Sequence, residues 1–202
     1  MQKIYIMYDK IFKMENGEMD KPHGIIVFGA SGAGSTTLGR ELARLLNFEH
    51  YDTDDYSFEQ TDPPYTKSRP LHERLALLRP LIKSNFVLTG CIRDWDGAFD
   101  SILSLAVFVM TPTDIRIERL EKREYNRNGE RIKLEGDLYN LHQKFIEYVS
   151  KYDNGGMEIR SLASQEAWAK TQTCPVIRVD GTIDYRINAA NIAKQFYEIL
   201  RK

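Results

Sequence analysis

The residues best equipped for chemistry follow an apolar run: Ile25-Ile-Val-Phe-Gly29-Ala30-Ser31-Gly32-Ala33-Gly34-Ser35-Thr36-Thr37-Leu-Gly-Arg40. An apolar run, a turn rich in glycine and then a helical pattern make a device for holding anions. Backbone N–H groups of such a turn can converge on phosphate oxygens while the helix behind it adds the positive end of its dipole. Glycine is needed there because the chain adopts left-handed angles and comes close to the anion. The Thr36 hydroxyl stands where it can hold a Mg²⁺ ion that also binds those phosphates.

Gly29 and Gly34 have the spacing of a P-loop, and Thr36 falls at that motif's Ser/Thr position. A dinucleotide reading through Gly29, Gly32 and Gly34 is weaker, because the order GxGxxG is absent. One position departs from the P-loop: the lysine that would precede Thr36 is Ser35. The turn can cradle phosphate through backbone and hydroxyl groups but carries no ammonium for the terminal oxygens.

Other groups complete the set. Asp52, Asp54 and Asp55 end a second, short apolar segment. Carboxylates at a strand end facing phosphates can organise Mg²⁺ or take a proton from an acceptor hydroxyl, which gives Asp52 and Asp54 candidate catalytic roles and Asp52 a candidate metal role. The plainer reading of the same residues is an acidic helix cap. A charged helix carries Arg116, Arg119, Lys122 and Arg123 interleaved with Asp114, Glu118, Glu121 and Glu124, a balance that mostly means a solvated face. Arg119 and Arg123 share one face and are the nearest candidates to replace the missing lysine, since guanidinium binds phosphate bidentately; Arg40 lies further from the turn. Arg69 and Arg93 are candidates for an anionic or phosphorylated acceptor. His72 and His142 have no metal-ligand spacing, and Trp95 and Trp168 read as packing residues.

These groups need a scaffold. From Gly24 on, apolar runs alternate with helical periodicity, the signature of buried parallel strands and crossover helices, and strands are expected at Ile25–Gly29, a short one around Phe48–Asp52, Phe86–Thr89, Leu105–Met110 and Val176–Asp180. Leu38, Leu42, Leu45 and Leu46 share a face after the first strand, and Leu138, Leu141, Phe145 and Val149 line a helix from about Asp137 to Tyr152. A last helix is expected over Ile187 to Leu200. Residues 1–23 read as an N-terminal extension, a hairpin or mobile arm, and 24–202 as one domain. Within it, Glu124 to Gly136 is polar, contains Gly129 and Gly136, and suits a small lid closing over a ligand. The 202 residues carry 28 Lys+Arg against 29 Asp+Glu, a formal net charge of -1, which argues against nucleic acid or an anionic membrane surface as partner. The apolar run at Leu105–Met110 is far shorter than the roughly 20 residues of a membrane span. Cys91 and Cys174 read as buried thiols rather than a disulfide framework. The expectation is a cytoplasmic protein, a monomer or weak homodimer.

With the turn as anchor, the chain from Ile25 to Leu200 resembles the P-loop kinases of nucleoside monophosphates and small metabolites, the adenylate kinase and shikimate kinase group. Tyr51-Asp52-Thr-Asp54 looks like the Asp-x-Asp of shikimate and gluconate kinases, and Leu88-Thr-Gly90-Cys-Ile-Arg93 is similar to the third-strand Asp-Gly-Phe-Pro-Arg of nucleotide kinases, with Thr89 in place of the aspartate. Arg116-Ile-Glu-Arg119-Leu-Glu-Lys-Arg123 is similar to the family's helix leading into the lid, and Val176-Ile-Arg-Val-Asp180-Gly-Thr to the strand and loop beside the adenine. The chain also resembles a group of bacterial P-loop proteins with Ser or Thr in place of the lysine. The resemblance implies a three-layer α/β/α P-loop NTPase fold with a five-stranded parallel sheet and a lid, ATP and Mg²⁺ as cofactors, and transfer of the γ-phosphoryl to a small-molecule acceptor. The alternative is a nucleotide-binding protein without transfer.

Overall fold

The computed structural model describes residues 22–201; the expected N-terminal extension lies outside them, apart from its last two positions. Five strands, β1 (Gly24–Gly29), β2 (Glu49–Asp52), β3 (Phe86–Thr89), β4 (Leu103–Met110) and β5 (Val176–Asp180), form one sheet in the order β2-β3-β1-β4-β5. Every pairing is parallel. Strands buried on both faces explain the unbroken apolar runs: all six residues of β1 and all four of β3 are buried.

Alternation along each strand divides the core into two layers. Ile25, Val27, Val87, Leu105 and Val107 face α1 (Ser35–Leu46) and α7 (Tyr185–Leu200), where Leu38, Leu42, Leu46, Ile192 and Phe196 close the layer. Ile26, Phe28, Phe86, Leu88 and Phe108 face the other way, against Leu78 of α3 (Leu71–Leu78), Trp95, Phe99 and Ala169 of α6 (Leu162–Thr171). Trp95 is fully buried and Trp168 packs on Phe28, as expected of packing residues. The remaining helices are α2 (Thr53–Ser57), α4 (Thr113–Asn128) and α5 (Tyr139–Ser150). Among the described residues no helix is long and apolar enough to cross a membrane, and both cysteines are unpaired and only half-buried.

Two local expectations change. No helix was expected at α6, because its mix of Ser, Gln, Glu and Lys carries little apolar periodicity; its start is set instead by a capping box in which the Ser161 and Ser164 side chains satisfy each other's amides. Within α4, Arg116 does not belong to a solvated face. It is fully buried, donating to both Asp153 carboxylate oxygens (3.2 and 3.1 Å) and to the Thr111 carbonyl (3.0 Å), with its guanidinium 4.9 Å from the Tyr152 ring centroid.

The candidate phosphate site

The chain leaves β1 at Gly29 and enters α1 at Ser35, so the glycine-rich turn lies at the C-terminal edge of the sheet, between the ends of β3 and β4. Gly32 has φ +80°, and a Cβ there would stand 2.6 Å from the Arg116 carbonyl oxygen, so only glycine fits. The residue capping α1, Gly34, offers no side-chain acceptor. The first-turn amides have no acceptor within the helix either, so they are donors free to bind an anion.

Thr36 Oγ1 donates to Asp52 Oδ2 at 3.0 Å, joining the two proposed metal-binding residues across the ends of β2 and α1. The other Asp52 oxygen accepts from the Asp54 amide at 3.2 Å, capping α2. The acidic-cap reading and the metal reading thus describe the same carboxylate. Asp54 does not lie on the strand with Asp52: β2 ends at Asp52, and Asp54 is the second residue of α2. Burial raises the Asp54 carboxyl above the usual carboxylate range and the Asp52 charge adds to this, while Arg160 and Arg123 pull it back. At Gly90, φ is +110° and a Cβ would lie 2.1 Å from Thr53 Oγ1, so glycine at the end of β3 lets α2 begin this close. Thr89 accepts or donates at 3.1 Å with His50 Nε2, and burial lowers the His50 pKa.

The arginines divide. Arg119 sits over the end of the turn, Nη1 on the Ala33 carbonyl (3.4 Å) and Nη2 on the Gly181 carbonyl (3.1 Å). It lines a cavity of about 290 Å³ with Gly34, Thr37, Gly181, Thr182, Tyr185 and Asn188. Arg123, one turn on, donates to Glu124 Oε1 and is half exposed. Arg69 spends Nη1 on the carbonyls of Asp55, Tyr56 and Phe58, around the end of α2. Arg93 spends its own Nη1 on the carbonyls of Met157 (3.2 Å) and Ile159 (3.0 Å). Both are thus engaged in holding backbone around the site. Within the expected lid, α4 runs to Asn128 and a 3-10 turn over Gly129–Ile132 follows. There Ile132 is buried and Arg131 bridges Asp137 and Asp62.

One pair of residues at the turn was not anticipated. Arg160 Nη2 and Gln165 Nε2 both donate to the Gly29 carbonyl, at 2.7 and 3.1 Å. Gln165 in turn accepts from the Tyr152 hydroxyl at 2.5 Å, within the buried layer that also holds Arg116. Their sequence neighbourhood, Ile159-Arg-Ser-Leu-Ala-Ser-Gln165, shows no spacing that links it to a turn more than a hundred residues earlier.

Among the described residues no group of three or more His, Cys, Asp and Glu could hold a metal. The site suits an ion that needs few protein ligands: Mg²⁺ keeps several waters and takes one or two oxygen ligands from protein besides phosphate, which matches the hydroxyl and single carboxylate of Thr36 and Asp52. The uncapped α1 amides supply the matching phosphate cradle.

A parallel sheet in this order, with a glycine-rich turn between its first strand and first helix, defines a P-loop protein with the architecture of the small-molecule kinases. Comparison with known proteins agrees. The AAA domain family model matches residues 25–140, and the chain belongs to that family. It is 39% identical over 158 residues to the uncharacterized protein YqaC of Bacillus subtilis (strain 168), covering 77% of this chain and 87% of that protein. A "Probable gluconokinase" of Rattus norvegicus is 38% identical over 56 residues, 28% of this chain and 30% of that one. Among solved structures, shikimate kinase from Acinetobacter baumannii in complex with shikimate superimposes with a TM-score of 0.50 at 19% identity, covering 89% of this chain and 94% of that chain, a likeness of fold.

Proposed function

We propose that the protein is a Mg-ATP-dependent phosphotransferase acting on a small hydroxyl-bearing acceptor. The observation that carries this reading is the 3.0 Å contact between Thr36 and Asp52 beside an uncapped helix N-terminus. It joins a metal-binding hydroxyl, a carboxylate and a phosphate cradle in one place. In this arrangement the nucleotide base occupies the cavity under Arg119 and the phosphates run along the turn toward the carboxylates. Mg²⁺, when bound, neutralises charge between the two outer phosphates.

The chain's own residues do the rest. Thr36 and Asp52 would hold the metal. Asp54 accepts the acceptor's hydroxyl proton as that oxygen forms its bond to the γ-phosphorus; the bond from γ-phosphorus to the β–γ bridging oxygen breaks, and its electron pair leaves with ADP. A carboxylate raised toward neutral pH by burial is a better base for this than an exposed one. The segment from Glu124 to Gly136 serves as lid, with Arg131 clasping Asp62 across the opening. The acceptor is small and uncharged or anionic, bound beside α2 and α3.

The supporting experiment is calorimetric titration with Mg-ATP followed by turnover against a panel of sugar acids, polyols and nucleoside monophosphates. Saturable binding with transfer to one panel member is expected; a folded protein that shows no binding into the millimolar range rejects the reading. A nucleotide binder without transfer is favoured by Ser35 and Thr89, where the family's lysine and aspartate would stand. Tight binding with no transfer to any acceptor would select that alternative.

A further inference from the structure

The turn lacks its lysine at Ser35, yet a site for several phosphate charges needs a cation close to the outermost one. Arg119 and Arg123 were the sequence candidates, and their positions differ from what that role requires. Arg119 stands at the base end of the turn, on the Ala33 and Gly181 carbonyls, and is exposed. Arg123 is paired with Glu124, whose oxygens also accept from Arg127 and Asn128.

Arg160 stands at the opposite end. The Val27 carbonyl accepts from the Gly90 amide. Two residues on, the Gly29 carbonyl therefore faces the same way, past the end of β3 and toward Asp52 and Asp54. Arg160 Nη2 is 2.7 Å from that oxygen, which places a guanidinium between the start of the turn and the acidic end of β2. Its Nε is buried and has no hydrogen-bond partner, and among the described residues no carboxylate pairs with it. A cation held half-buried by a carbonyl, with an unused N–H and no carboxylate within ion-pair distance, retains the capacity to bind an anion. The loop that carries it is firmly anchored: Arg93 grips the Met157 and Ile159 carbonyls, and Ser161 donates to the Gly156 carbonyl at 2.6 Å before capping α6. Arg160 also counts among the charges that hold down the Asp54 carboxyl, which agrees with this placement.

We propose that Arg160, reaching in from the loop before α6, supplies at the terminal phosphate of the bound nucleotide the positive side chain that the glycine-rich turn lacks at Ser35. This rests on the Mg-ATP reading above. Its consequence is a division of labour: Arg160 recognises the third phosphate, while Arg119 recognises features that ATP and ADP share.

The test measures Mg-ATP and Mg-ADP affinity by calorimetry in the parent, in Arg160→Gln, which keeps an N–H for the Gly29 carbonyl but no charge, and in Arg160→Gln combined with Ser35→Lys. Expected results are a more than tenfold loss of ATP affinity in Arg160→Gln, less than a threefold loss for ADP, and recovery of most of the ATP preference in the double variant, whose ammonium enters the same volume. Circular dichroism establishes that each variant is folded. Should Arg160→Gln fail to fold, Arg160→Met, which is also uncharged, takes its place, and an unchanged ratio of ATP to ADP affinity in a folded Arg160→Met overturns the proposal. An unchanged ratio in a folded Arg160→Gln overturns it too while leaving the phosphotransferase reading intact. No Mg-ATP binding by the parent overturns both.

Discussion

The two ends of the glycine-rich turn are each held by an arginine donating to a backbone carbonyl, and they differ in almost everything else. At the base end, Arg119 is exposed and reaches from one turn of α4 to the Ala33 and Gly181 carbonyls. At the acceptor end, Arg160 is half-buried and shares the Gly29 carbonyl with Gln165, itself buried and bonded to Tyr152. Water screens a charge at the first end and is largely kept from the second, so the same guanidinium interacts more strongly with an anion at the acceptor end.

The largest effect expected from disturbing this contrast is at Asp54. Asp54→Asn removes the proposed proton acceptor and should cut transfer by roughly a hundredfold or more, read in a coupled ADP-release assay. The same change should raise stability at neutral pH. Asp54 has a raised pKa when folded, so the native state binds more protons than the unfolded chain. Its penalty therefore develops as pH climbs from the ordinary carboxylate range through the raised value, and persists above it. Melting temperatures of the two proteins should coincide near pH 3 and separate at pH 7, with Asn the more stable; equal shifts at both would contradict the assigned burial.

Next is the turn itself. Gly32→Ala forces a Cβ against the Arg116 carbonyl at a positive φ. It should cost roughly 2–4 kcal/mol in urea unfolding and abolish Mg-ATP binding. Retained binding with unchanged stability would mean that the turn rearranges on its own.

Smaller effects sharpen the division between the ends. Arg93→Ala loosens the loop carrying Arg160 and should lower the preference for ATP over ADP several-fold, whereas Arg93→Lys should restore part of it; an unchanged ATP-to-ADP ratio with a raised KM for the acceptor would make Arg93 an acceptor group instead. Arg119→Ala should weaken ATP and ADP alike, by about threefold to tenfold, raising the KM for ATP with little change in kcat. The slightest is at the lid. Arg131→Gln breaks exposed contacts to Asp62 and Asp137, should leave the melting temperature unchanged, and should only speed tryptic cleavage at Arg127 in the presence of nucleotide.

The amino-acid sequence alone settles much of this molecule. The sequence pattern locates all five strands to within two residues; for β1, β3 and β4 this is because strands buried on both faces leave little room for polar positions, and the β3 and β5 limits are the same in sequence pattern and structure. The glycine-rich turn, Thr36 and the acidic end of β2 are equally legible, since local geometry demands those residue types at close spacing. Tertiary structure decides what local pattern cannot encode. Asp52 proves to be cap and Thr36 partner at once because the end of β2 meets the start of α1 there. Arg116, written in the sequence as one more charge on a polar helix, is buried because α5 and its following turn fold over it to offer Asp153 and Tyr152. Arg160 reaches Gly29 across 131 positions of chain, from the loop before a helix whose polar composition hides its own presence. Spacing in sequence reports chemistry only when the groups lie on one turn or one strand; groups brought together by crossover connections meet through packing, and a single charged residue in a loop carries no mark of the partner that awaits it.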